Sequence, residues 1–175
     1  VDMGGHCIDL LEMLLGPVRA VSCVTRRAIH GYESEDSAVA TLQFASGPLG
    51  VVDTFFCVPD DASQNRLEVY GSRGSLLARG TIGQEDHGDM VACLQSGAGA
   101  YDARQERTGG QSISIDPAPV NTYRAEVEEF SQAILDGREP SNSGALGLRS
   151  QRVLAACYQS ARTGRVVEVA AADAA

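Results

Sequence analysis

The 175-residue sequence contains no lysine; all fourteen basic residues are arginine. A Schiff-base amine or a lysine proton donor therefore has to come from elsewhere. The arginines are scattered, with only Arg26 and Arg27 adjacent, among twenty-three acidic residues, for a formal charge of -9. With no basic run or stripe to meet phosphates, neither nucleic acid nor an anionic membrane is an expected partner. The five cysteines (Cys7, Cys23, Cys57, Cys93, Cys157) include no C-x-x-C pair, which removes the usual zinc and redox spacings. They read as small buried apolar residues in a reducing compartment, so a cytoplasmic location is expected. No apolar run reaches membrane-spanning length, and no basic segment precedes an apolar leader. Neither G-x-G-x-x-G nor G-x-S-x-G occurs, so no dinucleotide-binding turn or nucleophile elbow is encoded here.

What is present is ordinary globular composition, 43% hydrophobic and 21% charged. That is enough apolar material for a core, and the length suits one domain. The most informative stretch comes first, Asp2-Met-Gly-Gly-His6-Cys-Ile-Asp9-Leu-Leu-Glu12-Met13-Leu-Leu-Gly16. Ile8 with Leu11 and Leu15, and Leu10 with Leu14, recur at helical spacing. Gly16-Pro17 supplies the stop, since glycine adopts the left-handed turn and proline cannot continue the ladder. On such a helix Asp2, His6, Asp9 and Met13 fall in one stripe, with two carboxylates flanking one imidazole. The chain begins with Val1 directly beside this motif, as expected of a piece of a longer protein.

Residues 18–28 are rich in β-branched side chains and read as a strand, followed by a loop over 29–35. Residues 37–44 and 49–58 flank Ala45-Ser-Gly-Pro48 and are expected to pair as an antiparallel hairpin. Residues 66–70 and 75–79 flank Gly71-Ser-Arg-Gly74 as a second hairpin. The glycine-rich segment 81–110 has no clear period and reads as a long excursion with one short strand near 90–94. Residues 111–116 alternate as a strand and end at Pro117. Asn121 caps a helix over 122–136 with the apolar stripe Tyr123, Val127, Phe130 and Ile134, closed by Gly137. Ser143 caps another over 145–163, closed by Gly164, and residues 165–169 form a final strand before an alanine-rich tail. The plan is α+β, an open and mainly antiparallel sheet with helices on one face.

A carboxylate near an imidazole raises its pKa and fixes its tautomer. An imidazole so placed can take a proton from an alcohol or return one to a carbonyl. A structural histidine at the start of a helix satisfies the same spacing, and the residues alone leave both readings open. Asp2 and His6 also supply two metal ligands, but a closed site needs more, and His30 and His87 lie in loops without ligand spacing; no metal is expected. Glu12, Glu126, Glu128 and Glu129 read as solvated helix faces, and Asp60-Asp61 as turn chemistry after Pro59.

The run Asp2-x-x-Gly5-His6-x-x-Asp9-Leu10 up to Gly16 resembles the start of the C-terminal domain of the Gfo/Idh/MocA oxidoreductases. The resemblance extends through Leu67-Glu-Val-Tyr-Gly-Ser-Arg-Gly-Ser-Leu76, the 123–130 helix, Gly147-Leu148 and the segment from Cys157 to Val166. It implies a substrate-binding and oligomerisation domain over residues 1–169, then a tail at 170–175, with the family's N-terminal Rossmann domain absent from this chain. It further implies His6 as the general acid/base, Asp2 as its catalytic support or a substrate contact, and Asp9 as a substrate-binding polar contact. NAD or NADP would serve the full-length parent, with none expected on this chain alone, which also lacks the family's catalytic lysine and is expected to be inactive by itself. The partners implied are a small-molecule sugar, cyclitol or related polyol and a second copy of the chain, as a homodimer or higher homo-oligomer through the sheet. A non-catalytic binding or assembly module is the alternative. Residues 49–58 favour assembly, because they carry apolar side chains on both faces and helices can cover only one.

Overall fold

The fold, described from a computed structural model, covers residues 2–83, 85–95 and 110–170. Its elements run α1 (Asp2–Leu15), β1 (Val18–Arg26), β2 (Ser37–Phe44), β3 (Leu49–Phe55), β4 (Arg66–Gly71), β5 (Gly74–Arg79), β6 (Asp89–Gln95), β7 (Gly110–Ile115), α2 (Thr122–Asp136), α3 (Gly144–Thr163) and β8 (Val167–Glu168). The α+β class holds, and every ladder is antiparallel. The strands form two four-stranded sheets, β3-β2-β1-β8 and β4-β5-β6-β7. They belong to two compact units, residues 1–62 with 139–175 and residues 63–138.

In the first unit, α1 and α3 pack on β1, β2 and β3. The ladder registers Val21 with Leu42 and Gly50, and Cys23 with Ala40 and Val52. Period-two alternation sends these residues to the helix side. There they join Ile8, Phe44, Val153, Leu154 and Cys157 in one core. The opposite face carries Val24, Val39, Leu49, Val51 and Phe55, all exposed. So 49–55 does present apolar side chains on both faces, and only one is covered by helices.

The helix α3 is set by local chemistry: Ser143 caps it by accepting from Leu146 N, and Gly164 closes it in the left-handed conformation. Its buried residues Ser150, Val153, Leu154, Cys157 and Ser160 recur at helical spacing. Ser160 ties it to β1, because β8 is only two residues long and leaves the Cys23 amide unpaired on that edge. Ser160 Oγ accepts from Cys23 N at 2.9 Å and donates to Arg165 O at 2.6 Å.

The second unit is an antiparallel meander followed by α2. One sheet face carries Leu67, Val69, Leu76, Ala78, Met90, Ala92, Ile113 and Ile115 in register. The hairpin read from Gly71-Ser-Arg-Gly74 is present, and Gly74 is required there. At φ 150° a Cβ would come within 2.1 Å of Cys93 O. The short strand expected near 90–94 is β6, whereas residues 84 and 96–109 of the excursion lie outside the described residues, as does the tail from 171. The caps predicted for α2 are observed, with Asn121 accepting from Arg124 N and Gly137 at φ 64°. Its stripe of Tyr123, Val127, Phe130 and Ile134 is nevertheless exposed, and only Ala133 is buried. The helix is thus specified by its ends and its period rather than by burial of that face.

Candidate active site

The helix α1 ends where the sequence says it should: Gly16 sits at φ 86° and its amide bonds Glu12 O at 2.9 Å. The turn between β2 and β3 then docks on this end, with Ser46 Oγ donating to Leu15 O at 2.7 Å and Ala45 N to Pro17 O at 2.9 Å. With 100° per residue, Ile8, Leu11, Glu12 and Leu15 share the inward side, and His6, Asp9 and Met13 the outward one. The exposures agree: Ile8 is buried, His6 and Met13 are exposed, and Asp9 is half-buried. The stripe predicted for His6, Asp9 and Met13 is therefore formed, and His6 and Asp9 lie one turn apart. The Asp2 backbone is helical, while its side chain lies outside what is described. His6 makes no hydrogen bond among the described residues, so its ring is held by no protein partner there.

Glu12 is not the solvated carboxylate expected of it; its side chain is fully buried. The reason is its offset, four residues after Ile8 and one after Leu11, which puts it inside the apolar side of α1. Burial of a carboxylate requires donors, and three groups meet it. Val18 N, the first amide of β1, donates to Oε1 at 3.2 Å, and Ser150 Oγ donates to Oε2 at 3.1 Å. Arg149 Nε stands 3.3 Å from Oε1. That nitrogen makes no hydrogen bond, so the Arg149 contact is an electrostatic pair without directional bonding. Ser150 Oγ also lies 3.2 Å from Asp9 Oδ1. One hydroxyl hydrogen from α3 is thus shared between the inward carboxylate Glu12 and the outward carboxylate Asp9.

The sequence reading also missed Asp36. This residue is buried, and its carboxylate accepts from Ala28 N, Ile29 N and His30 N at 2.7–3.0 Å and from Ser37 Oγ at 2.9 Å. Those amides of His30, Ala28 and Ile29 hold its carboxyl far below the usual carboxylate range. Asp36 therefore organises the loop predicted over 29–35. Next to Asp36, Glu35 accepts from Tyr158 at 2.6 Å; burial and then this carboxylate push the Tyr158 phenol pKa up.

A cavity of about 50 Å³ lies behind α1, lined by Gly4, Ile8, Cys23, Leu154, Cys157 and Tyr158 among others. Its α1 lining, Gly4 and Ile8, is on the inward side of the helix, away from His6. His30 stacks on Tyr32, with ring centroids 5.2 Å apart. His87 pairs with the neighbouring Asp86 at 2.5 Å, and that hydrogen bond and charge raise its pKa. Among the described residues, no cluster of three or more His, Cys, Asp or Glu side chains is placed to hold a metal ion. Among the described residues, no helix is long and apolar enough to cross a membrane.

Residues 1–169 match the family described as "Oxidoreductase family, C-terminal alpha/beta domain". The chain is 27% identical to D-apiose dehydrogenase of Paraburkholderia graminis over 179 residues, an alignment covering 99% of this chain and 45% of that protein. It is 26% identical to 1,5-anhydro-D-fructose reductase of Ensifer adhaerens, covering 97% of this chain and 46% of that protein. Among solved structures, it is similar to aldose-aldose oxidoreductase from Caulobacter crescentus complexed with glycerol. The identity is 29% and the TM-score 0.77, over 94% of this chain and 45% of that one. The chain therefore spans somewhat under half the length of these relatives. With the family match running from α1 through β8 on an antiparallel α+β fold, the chain belongs to the Gfo/Idh/MocA oxidoreductase family as its C-terminal alpha/beta domain.

Proposed function

We propose that this chain is the substrate-binding domain of a nicotinamide-dependent oxidoreductase acting on a sugar, cyclitol or related polyol, with His6 as the general acid/base. The observation that carries the reading is the outward side of α1, where an exposed imidazole stands one turn from a half-buried carboxylate anchored from α3. The family match and relatives named for sugar oxidation and reduction support the substrate class. In the whole protein, NAD or NADP supplies the hydride acceptor or donor, from residues outside this chain. The residues of this chain handle the alcohol itself. His6 takes the hydroxyl proton as the alcohol is oxidised and returns it when a carbonyl is reduced, a role worth roughly 10²–10⁴-fold in rate. Asp2 supports His6 or contacts the substrate, and Asp9 offers a carboxylate oxygen to a neighbouring hydroxyl. The missing lysine of the family's site is supplied by the rest of the protein, because this chain has none. The test is His6→Ala in the full-length protein: turnover should fall by at least about 10²-fold at fixed pH. Near-normal kcat would sink the assignment.

A second reading, an assembly module, is favoured by one observation. The open face of β1–β3 exposes Leu49, Val51, Val24, Val39 and Phe55, apolar surface that a second copy of the sheet can cover. The two readings are compatible, since one side of the unit carries His6 and the other this face. Light scattering at micromolar concentration should give a dimer or higher oligomer, and a monomer would count against it.

A further inference from the structure

We propose that Ser150 is a positioning residue for the His6 site, holding Asp9 Oδ1 so that its second oxygen is fixed toward a hydroxyl of the bound sugar or polyol. The inference rests on the reading of His6 and Asp9 above. It adds a residue 141 positions away that touches neither substrate nor His6.

The geometry is that of one donor between two acceptors. Ser150 is buried, and its hydroxyl lies almost equally far from Asp9 Oδ1, 3.2 Å, and Glu12 Oε2, 3.1 Å. A serine hydroxyl has a single hydrogen, so the two carboxylates share it as a three-centre bond. Glu12 is held at its other oxygen by Val18 N and the Arg149 charge and cannot swing away. Asp9 has no second protein donor among the described residues, so Ser150 alone fixes its rotamer. A carboxylate fixed at one oxygen keeps the other as an acceptor in a set direction. That suits recognition of a polyol, whose hydroxyls are distinguished by direction more than by charge. A mobile Asp9 would have to be ordered at each binding event, at a cost in affinity.

The experiment uses the full-length oxidoreductase and a panel of aldopentoses, aldohexoses and cyclitols beginning with D-apiose. KM and kcat are measured for the sugar turned over fastest. Ser150→Ala should raise KM roughly tenfold, the scale of one hydrogen bond, while kcat changes by less. Ser150→Thr keeps the hydroxyl and should restore KM. Assayed well below the melting transition of the alanine variant, where nearly all of the protein is folded, KM is not shifted by its loss of stability. In an Asp9→Ala background, which removes the acceptor of the Ser150 hydroxyl, Ser150→Ala should add nothing further to KM, because its effect runs through the Asp9 carboxylate. An unchanged KM in Ser150→Ala, or additive effects in the double variant, would overturn the proposal while leaving His6 as the general acid/base if His6→Ala still loses turnover. A wild-type protein that turns over no sugar in the panel would overturn both.

Discussion

Replacing Glu12 with alanine removes a buried carboxylate that joins α1, β1 and α3. The loss can be worked from its contacts. Val18 N and Ser150 Oγ lose an anionic acceptor, and a buried donor left unsatisfied costs about 1–3 kcal/mol. Ser150 retains Asp9, so Val18 is the principal orphan. Arg149 loses its counter-charge; breaking a buried pair costs about 3–5 kcal/mol. The Arg149 side chain, however, is one-third exposed and can turn partly into water, which puts its share well below that range. Together with the space vacated, the expected loss is about 3–5 kcal/mol, a large fraction of the ~5–15 kcal/mol typical of a domain. For a chain of this size that corresponds to a fall in Tm of roughly 6–20 °C. Glu12→Gln keeps the shape and the acceptor for Val18 but drops the charge, and should cost less than half as much. The assay is thermal unfolding followed by far-ultraviolet circular dichroism at pH 7. A drop of less than about 2 °C in the alanine variant, or a glutamine variant as unstable as alanine, would refute the account of Glu12 as an acceptor network.

Asp36 gives a prediction in pH. Its native carboxyl is held below the usual range by the amides of His30, Ala28 and Ile29, whereas in the unfolded chain it titrates near 3.9. As the pH falls below about 4, the unfolded state binds this proton first, so the contribution of Asp36 is complete above that pH and declines below it. Wild-type stability should therefore fall more steeply than that of Asp36→Asn as the pH drops from roughly 4 to 2, and parallel acid slopes would remove Asp36 from the account. The open sheet face gives another: Val51→Arg, at an exposed position, should shift the oligomer seen by light scattering toward monomer with little change in melting temperature. An unchanged oligomer would place the contact elsewhere.

Elements whose instructions are local were legible in the sequence. Asn121 and Gly137 bound α2, Ser143 and Gly164 bound α3, and the turns at 45–48 and 71–74 fix two hairpins, each within a few residues of the backbone it controls. The outward stripe of α1 was legible for the same reason, since His6, Asp9 and Met13 follow from helical period alone. Glu12 was misread because a charged residue on a helix is usually solvated. The signal that places it inward is its four-residue step from Ile8, between Leu11 and Leu15. Its partner Ser150 lies 138 residues away and has no local signature; only the packing of α3 on α1 brings it there. Asp36 was missed for another reason. Its partners are backbone amides of the loop before it, which any sequence possesses, so nothing in the identity of residues 28–30 announces them.

The buried network also bears on why α1 keeps an ionic group in its core at all. A buried ion pair is weak evidence for stability, because desolvation offsets much of the attraction and well-packed apolar residues often replace it without loss. The double substitution Glu12→Met with Arg149→Met tests this: by removing both charges it should recover much of the stability that Glu12→Ala loses. Apolar packing is non-directional, however, and it would leave the rotation of α1 about its axis set only by side-chain volume. Glu12 fixes that rotation with bonds to two other elements, Val18 at the start of β1 and Ser150 on α3. His6 and Asp9 are rigidly related to Glu12 through the helix backbone, so an error in rotation at position 12 is an error in the direction of the imidazole. The double variant should accordingly melt close to the wild type yet raise KM for the sugar in the full-length protein. A variant with both stability and KM unchanged would mean that packing alone orients α1 and that the ionic group contributes nothing to the site.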